Sequence, residues 1–246
     1  MDDLDPRRAR VFGTRAQNYH RWRPGYPDQA VDWLIPPGAA RVADVGAGTG
    51  KLTAALLARG LQVVAVEPDG AMLAELVRHC PGALVALASA EALPLPTASV
   101  DAVLVGQAWH WFSYERALAE VRRVIRPGGW LGLTWNASDP QAHWEQQLEE
   151  LDPDSAYRNN AGPGAERIPG LSQLVVEEAT FRWHEDITAQ SLAARLATHS
   201  AYIMMPADLR ASRLAAAGAI VAAEAARRGT AALSFGLATY CARVRL

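Results

Sequence analysis

A glycine-rich turn is the stretch of the sequence whose residue types are best suited to binding a ligand. In Asp44–Gly50, three glycines alternate with other residues. Glycine has no side chain and accepts positive φ angles, so a ligand can lie directly against its backbone. The residues before the turn are small or β-branched, as in a buried parallel strand, and those after it favour a helix. Because the first N–H groups of a helix have no partner within it, they point at whatever fills the turn.

The spacing of these glycines excludes two common nucleotide-binding motifs. A P-loop needs a Ser or Thr after its Gly-Lys pair, but Leu52 follows Gly50-Lys51. The dinucleotide-binding G-x-G-x-x-G pattern fails as well, since its third glycine would fall on Lys51 or Thr53. What remains, D-x-G-x-G-x-G after a strand, resembles the first motif of class I S-adenosylmethionine-dependent methyltransferases. The resemblance implies that S-adenosyl-L-methionine is the cofactor and that these residues bind it: Asp44, Gly46, Ala47, Gly48, Thr49 and Gly50.

A second predicted strand ends in an acidic residue. The apolar run Leu61–Val66 leads into Glu67-Pro68, and a helix is predicted over residues 70–79. An acid at this point of a Rossmann-like unit accepts hydrogen bonds from both ribose hydroxyls. The alternative is an acid that only favours the start of the following helix. We expect Glu67 to bind ribose, with Pro68 beside it, and to lie near the surface when no cofactor is bound; Asp69 is the expected N-cap.

The N-terminal segment carries a second resemblance. Phe12, Ala16 and Tyr19, followed by Arg23-Pro24-Gly25-Tyr26-Pro27, are similar to an F-x-x-x-A-x-x-Y-x-x-x-R-P-x-Y-P segment of one small-molecule methyltransferase subfamily. In that subfamily the segment folds over the cofactor as a lid. The resemblance implies that Tyr19 and Arg23 face the cofactor or substrate. The alternative is a proline-rich turn in which Tyr26 is a packing residue.

The expected adenine site departs from the family pattern. A third predicted strand, Ala83–Leu87, leads into Ala88-Ser89-Ala90-Glu91. The family often has G-D-A-E here, with the aspartate side chain binding the adenine amino group. Because Ser89 replaces that aspartate, we expect adenine to contact backbone groups near Ala90 and apolar side chains such as Met72. Glu91 either belongs to this site or is an exposed acid at the start of a helix.

An aromatic cluster follows the fourth predicted strand, Ser99–Val105. Ligands of open α/β sheets bind outside the carboxyl ends of the strands, so this segment belongs at the site. We expect Gln107 to contact the cofactor. Several aromatic side chains together would exclude water from a reacting sulfonium. The predicted substrate pocket comprises Trp109, His110, Trp111 and Tyr202.

His110 is the candidate catalytic residue. An imidazole titrates near neutral pH and can accept a proton from an acceptor hydroxyl or amine. The alternative is that the ring packs between the two tryptophans, or hydrogen-bonds the acceptor without moving a proton. Methyl transfer often needs little beyond positioning of the two reactants, so both roles are compatible with the chemistry.

The composition limits the classes of partner. The chain has 246 residues and a formal net charge of −2, which gives no overall attraction to nucleic acid or to a membrane surface. Two cysteines form neither a disulfide framework nor a metal site. The N-terminus lacks an apolar signal segment, and the apolar stretch Leu214–Ala223 is too short to span a bilayer. We therefore expect a cytoplasmic monomer or homodimer that acts on a small-molecule methyl acceptor and uses no metal.

The sequence predicts an α/β fold. The resemblance implies a Rossmann-like seven-stranded, mostly parallel sheet with helices on both faces, and the terminal strand 238–246 is its one antiparallel edge strand. We expect a single domain, with a lid segment (1–38), a cofactor-binding core (39–137) and a substrate-side helical elaboration (138–246). The predicted function is methyl transfer to an O, N or C atom. A non-catalytic S-adenosylmethionine-binding regulatory or partner module is the alternative, and the failed dinucleotide spacing disfavours an oxidoreductase.

Overall fold

The computed structural model describes residues 16–151 and 168–246. Phe12, the first position of the lid-segment resemblance, lies outside the described residues, as does the rest of 1–15. The same holds for residues 152–167, in the C-terminal elaboration. The division of the chain into lid, core and elaboration stays a prediction.

Seven strands form one sheet in the order β3-β2-β1-β4-β5-β7-β6. The strands are β1 (Arg41–Val45), β2 (Gln62–Glu67), β3 (Leu84–Leu87), β4 (Val100–Gly106), β5 (Ile125–Ser138), β6 (Val176–Ile187) and β7 (Leu233–Arg245). Neighbours from β3 to β5 pair in parallel, whereas β7 is antiparallel to both β5 and β6. The predicted fold class, a mostly parallel Rossmann-like sheet, is confirmed.

The C-terminal strand occupies a different place from the one predicted for it. β7 does not form the edge of the sheet, because β6 pairs along its other side. The burial of the two strands explains this order. Most residues of β7 are buried, as in an interior strand. Most residues of β6 are exposed or half-buried, as in an edge strand.

Nine α-helices lie in the described part of the chain. They are α1 (Ala16–Trp22), α2 (Asp28–Leu34), α3 (Lys51–Leu57), α4 (Gly70–His79), α5 (Tyr114–Val124), α6 (His143–Leu151), α7 (Ala189–Leu196), α8 (Ser200–Met204) and α9 (Ala207–Arg228). α4 begins at Asp69, whose Oδ1 accepts the N–H groups of Ala71 and Met72 at 2.8 and 3.1 Å, as predicted for an N-cap. Within residues 16–151 and 168–246, none of the helices is both long and apolar enough to cross a membrane.

The core lies on both faces of the sheet because adjacent strand residues point to opposite sides. On one face, Val42 and Leu104 pack with Leu34 of α2 and Leu56 of α3. On the other face, strand residues pack with Val121 and its neighbours on α5. A further cluster joins α6 and α9 to β7. The parallel strands are thereby held between helices, and the carboxyl ends of β1, β2 and β4 meet along one edge.

Leu104→Ala tests the importance of this central packing. Leu104 is 0% exposed, so its truncation should lower the free energy of unfolding by about 2–5 kcal/mol. Leu87→Ala is the matched control, because Leu87 lies on β3 with 64% of its surface exposed. Its effect should stay within about 0.5 kcal/mol. Urea denaturation followed by circular dichroism measures both, and equal losses in the two variants would contradict the assignment of the core.

Candidate functional site

The glycine turn connects β1 to α3 and is held by the end of β2. Gly46, Gly48 and Gly50 all have positive φ angles, of +71°, +56° and +87°. The N–H groups of Gly46 and Ala47 donate to the carbonyl oxygen of Val66 at 2.8 and 3.1 Å. These bonds fix the turn at the carboxyl ends of two neighbouring strands, where the sequence pattern predicts a ligand.

The three glycines are needed for different reasons. A Cβ at position 46 would lie 2.6 Å from Cβ of Ala108, and one at position 50 would lie 2.9 Å from Sγ of Cys80. Those two positions therefore allow close packing of the protein itself. A Cβ at Gly48 would meet only Cε of Met72, at 4.0 Å. The backbone of Gly48 thus faces open space, as the backbone at a ligand-binding site must.

Glu67 is tied to this turn. Its Oε2 accepts the N–H of Gly48 at 2.8 Å, and its Oε1 accepts the N–H of Asp69 at 3.0 Å. Only 8% of the residue is exposed, so the expectation of a position near the surface is wrong. The side chain folds inward because it pairs these two backbone donors. Burial raises the pKa of Glu67, and the two hydrogen bonds act in the opposite direction.

Asp44 is a buried acid at the base of the turn. It is 1% exposed, and its Oδ2 accepts the hydroxyl of Thr53 at 2.6 Å. Its Oδ1 is buried and has no hydrogen-bond partner among the residues that the structure describes, and the same is true of Oγ1 of Thr49. Burial raises the pKa of Asp44 to about 7. Unpaired buried polar atoms are rare in folded proteins, so this group favours a polar ligand.

A cleft opens over the turn. The structure brings together several predicted cofactor residues there, and it adds others that the sequence analysis did not assign. The lining comprises Tyr19, Arg23, Pro24, Tyr26, Asp44, Gly46, Ala47, Gly48, Thr49, Lys51, Leu52, Gly106 and Gln107. Lys51 and Leu52 directly follow the glycine turn, and that position at the start of a helix is the signal that could have identified them.

Helix α1 lies against one side of the cleft. The ring of His20 stacks on that of His79 in α4, with centroids 3.6 Å apart and planes 6° apart. Nδ1 of His20 donates to the carbonyl oxygen of Thr49 at 3.2 Å. Arg23 lies 5.1 Å from the ring centre of Tyr19 and donates to the carbonyl oxygen of Thr198 at 3.3 Å. The segment is thereby joined to the turn and to the chain that follows α7.

The end of β4 forms the opposite wall. Gln107 has a positive φ of +58°, uncommon for a residue with a side chain, and its Nε2 donates to the carbonyl oxygen of Asn136 at 3.2 Å. A Cβ on Gly106 would lie 2.5 Å from the hydroxyl oxygen of Tyr26. Tyr26 combines the packing role weighed in the sequence analysis with a position in the cleft, since its ring packs against the core.

The predicted aromatic pocket is not part of this cleft. Trp109 begins a short 3₁₀ helix that turns its ring into the core, where its Nε1 donates to the carbonyl oxygen of Pro169 at 3.0 Å. Trp111 is partly buried against the same core. Tyr202 is fully buried, and its hydroxyl donates to the carbonyl oxygen of Leu151 at 3.4 Å. Trp109 and Tyr202 are therefore interior residues, and their assignment to a substrate pocket with His110 and Trp111 stays a prediction.

Of the residues predicted around adenine, Met72 is the one that the structure shows beside the turn, among the residues described. Met72 is buried and approaches Gly48, whereas Pro68 is exposed. Ala90 is buried in the core, next to the half-buried Ser89. Glu91 accepts the N–H of Ser113, the residue before α5, at 2.8 Å. It therefore holds the start of the next helix, and its assignment to adenine stays a prediction.

His110 lies next to Trp111, with ring centroids 4.7 Å apart. Burial lowers the pKa of His110 to about 4, so its imidazole is neutral at physiological pH. A neutral ring can accept a proton, but a pKa this low makes it a weak base. No group of three or more potential His, Cys, Asp or Glu metal ligands occurs among the residues that the structure describes.

Comparison with known proteins points to one family. A family described as a methyltransferase domain matches residues 43–133. An uncharacterised methyltransferase of Mycobacterium tuberculosis is 40% identical over 96% of this chain and 95% of its own. One from Schizosaccharomyces pombe is 30% identical over 81% of this chain and 82% of its own. Among solved structures, a protein provisionally described as a type II methyltransferase from Anaeromyxobacter dehalogenans has a TM-score of 0.64 at 27% identity, covering 91% of this chain and 97% of its own.

His110→Phe tests the effect of the buried imidazole on stability. The pKa of His110 is lowered from 6.5 to about 4 on folding, so the unfolded chain binds the proton first as the pH falls. The free energy of unfolding should therefore decrease between pH 6.5 and pH 4 in the wild type. Phenylalanine fills a similar volume without titrating, so the decrease should be smaller in the variant.

Urea denaturation at pH 7.5 and pH 5 measures this difference. His184→Phe is the control, because His184 is exposed on β6. The same decrease in His110→Phe as in the wild type would show that His110 is not the buried, neutral group described here.

Proposed function

This chain belongs to the methyltransferase family, and on that premise we propose that it is an S-adenosylmethionine-dependent methyltransferase whose cofactor binds in the cleft over the glycine turn. The acceptor is a small molecule, methylated on an O, N or C atom. A non-catalytic S-adenosylmethionine-binding module would use the same cleft, and the two differ only in whether a methyl group is transferred.

The observation that carries the proposal is the set of unpaired polar atoms in the cleft. S-adenosylmethionine ends in an ammonium and a carboxylate. Oδ1 of Asp44 is an unpaired acceptor suited to the ammonium, whereas Nε of Arg23 and Oγ1 of Thr49 are unpaired atoms that can donate to the carboxylate. All three residues line the cleft. An ammonium beside Asp44 would also lower its raised pKa and stabilise the charged form.

The remaining parts of the cofactor have matching groups. Gly48 presents a bare backbone to open space, and Glu67 lies directly beneath it through their hydrogen bond. A carboxylate has four lone-pair sites, so Glu67 can accept ribose hydroxyls while it keeps a backbone donor. Adenine would contact Met72 and the backbone near Ala90, since Ser89 offers no carboxylate for its amino group.

The chemistry demands orientation more than proton transfer. S-adenosylmethionine supplies a methyl group that is already activated on a sulfonium. The residues of this chain hold the two reactants in line and exclude water, which the ring of Tyr26 over Gly106 favours. His110 as general base stays a prediction: burial keeps it neutral, as a base must be, and also weakens it.

Calorimetry with the demethylated product, S-adenosylhomocysteine, tests the binding site. The wild type should bind it and should not bind NAD. Gly48→Ala should weaken binding at least tenfold, because the new Cβ would occupy the space in which the ligand lies. Incorporation of labelled methyl groups into a pool of small metabolites then separates an enzyme from a non-catalytic module.

Gly60→Ala is the matched control for this substitution. Gly60 also has a positive φ, of +76°, and open space around its Cα, but it lies outside the cleft. Both variants should lose a similar amount of stability, about 1–2 kcal/mol, from the left-handed backbone. Wild-type affinity in Gly48→Ala would exclude the turn as the cofactor site.

Glu67→Gln tests the ribose assignment. The amide has one acceptor oxygen where the carboxylate has two, so one of the Gly48 and Asp69 N–H groups loses its partner. We expect S-adenosylhomocysteine to bind about 1.5–3 kcal/mol more weakly. Asp69→Asn is the control, since asparagine also caps helices and the backbone N–H of residue 69 still has Oε1 of Glu67 as its acceptor. Equal affinity in Glu67→Gln and wild type would refute the ribose role.

A further inference from the structure

Lys51 is a cation in the cleft without a hydrogen-bond partner in the described part of the chain. It is the first residue of α3, it is half-buried, and it is the only lysine in the sequence. Its ammonium has three donors, and partial removal from water favours a partner of opposite charge for them. Burial accordingly lowers the pKa of Lys51, against the attraction of Glu185. A group held in this way favours an anionic ligand.

The charged groups near Lys51 do not fully neutralise its positive charge. Arg195 forms an ion pair with Glu185 and is only 7% exposed. Its pKa is lowered first by burial and also by the charge of Arg23, so the two guanidinium groups lie near each other. His20 on α1 adds no charge near neutral pH, since burial and the charge of Lys51 lower its pKa. Three cations, Lys51, Arg23 and Arg195, therefore stand against two carboxylates, Asp44 and Glu185.

The bound cofactor would not neutralise this excess. If the proposed function holds, the methionine carboxylate pairs with Arg23 and the methionine ammonium pairs with Asp44. Glu185 already pairs with Arg195. One positive charge then remains, on Lys51, in the lining of the cleft. A single carboxylate would balance that charge, whereas a phosphate dianion would leave an excess negative charge in a half-buried site.

We infer that the methyl acceptor carries a carboxylate group and that Lys51 binds it. This inference rests on the proposed function and adds the substrate class. Lys51 is a specificity-determining residue in this account. It holds the acceptor by a charge-assisted hydrogen bond at the wall of the cleft and takes no part in the displacement itself. Neutral analogues of the acceptor should bind poorly, because they would leave the ammonium unpaired.

The single lysine makes a direct test possible. Reductive methylation with ¹³C-formaldehyde labels Lys51 and the chain's α-amino group, and the dimethylated lysine keeps its positive charge. The protein is saturated with S-adenosylhomocysteine and titrated with propionate and succinate, with propionamide as the neutral isostere. We expect a saturable shift of the Lys51 resonance and an increase of its pKa by about one unit with the carboxylates, and neither with propionamide.

Lys51→Met and Lys51→Arg complete the experiment. Succinate should no longer raise the melting temperature of Lys51→Met, and it should raise that of Lys51→Arg by less than that of the wild type. Both variants should bind S-adenosylhomocysteine with an affinity within about threefold of the wild-type value. The inference would be overturned if neither propionate nor succinate changed the chemical shift or the pKa of Lys51. It would also be overturned by a Lys51→Met variant that binds S-adenosylhomocysteine tenfold more weakly, since Lys51 would then pair with the methionine carboxylate. Failure of the wild type to bind S-adenosylhomocysteine would instead contradict the proposed function.

Discussion

The cleft depends on the hydrogen bonds that hold the glycine turn against the end of β2. The carbonyl of Val66 accepts two consecutive N–H groups of the turn, and the carboxylate of Glu67 accepts a third, from Gly48. Because these donors are satisfied within the protein, the left-handed backbone of the turn is supported before any ligand arrives. The same bonds bring β1, β2 and the start of α3 to one point. That point is where the unpaired polar atoms of the cleft are found.

Those unpaired atoms oppose folding and favour binding. Within residues 16–151 and 168–246, one buried carboxylate oxygen of Asp44 and Nε of Arg23 have no hydrogen-bond partner. Each unpaired buried group costs about 1–3 kcal/mol, which the rest of the packing must offset. A zwitterionic ligand recovers that energy, because it supplies a partner of the right sign to each group. Three of the five buried unpaired side-chain atoms among the described residues, those of Arg23, Asp44 and Thr49, belong to residues that line the cleft.

Features set by neighbours in the sequence could be predicted, and features set by distant contacts could not. The glycine spacing and the Asp69 cap are local, and the sheet they imply is confirmed. The inward position of Glu67 and the place of β7 beside β6 depend on pairing between separate elements. The hydrogen bond from Arg23 to Thr198 joins residues 175 positions apart, and no local pattern indicates it. The aromatic residues 109–111 lie outside the lining of the cleft, and no local pattern separates the two roles open to them, because apolar rings suit a core as well as a pocket.

The residues that line the cleft and the charges near Lys51 come from different parts of the chain. The family match spans residues 43–133, which include the turn, Glu67 and Gln107. Glu185, whose charge acts on Lys51, and its ion-pair partner Arg195 lie outside that match. If Lys51 binds the acceptor as inferred above, residues within the family match hold both ligands, and Glu185 on β6 and Arg195 on α7 change the charge around Lys51 from outside the match.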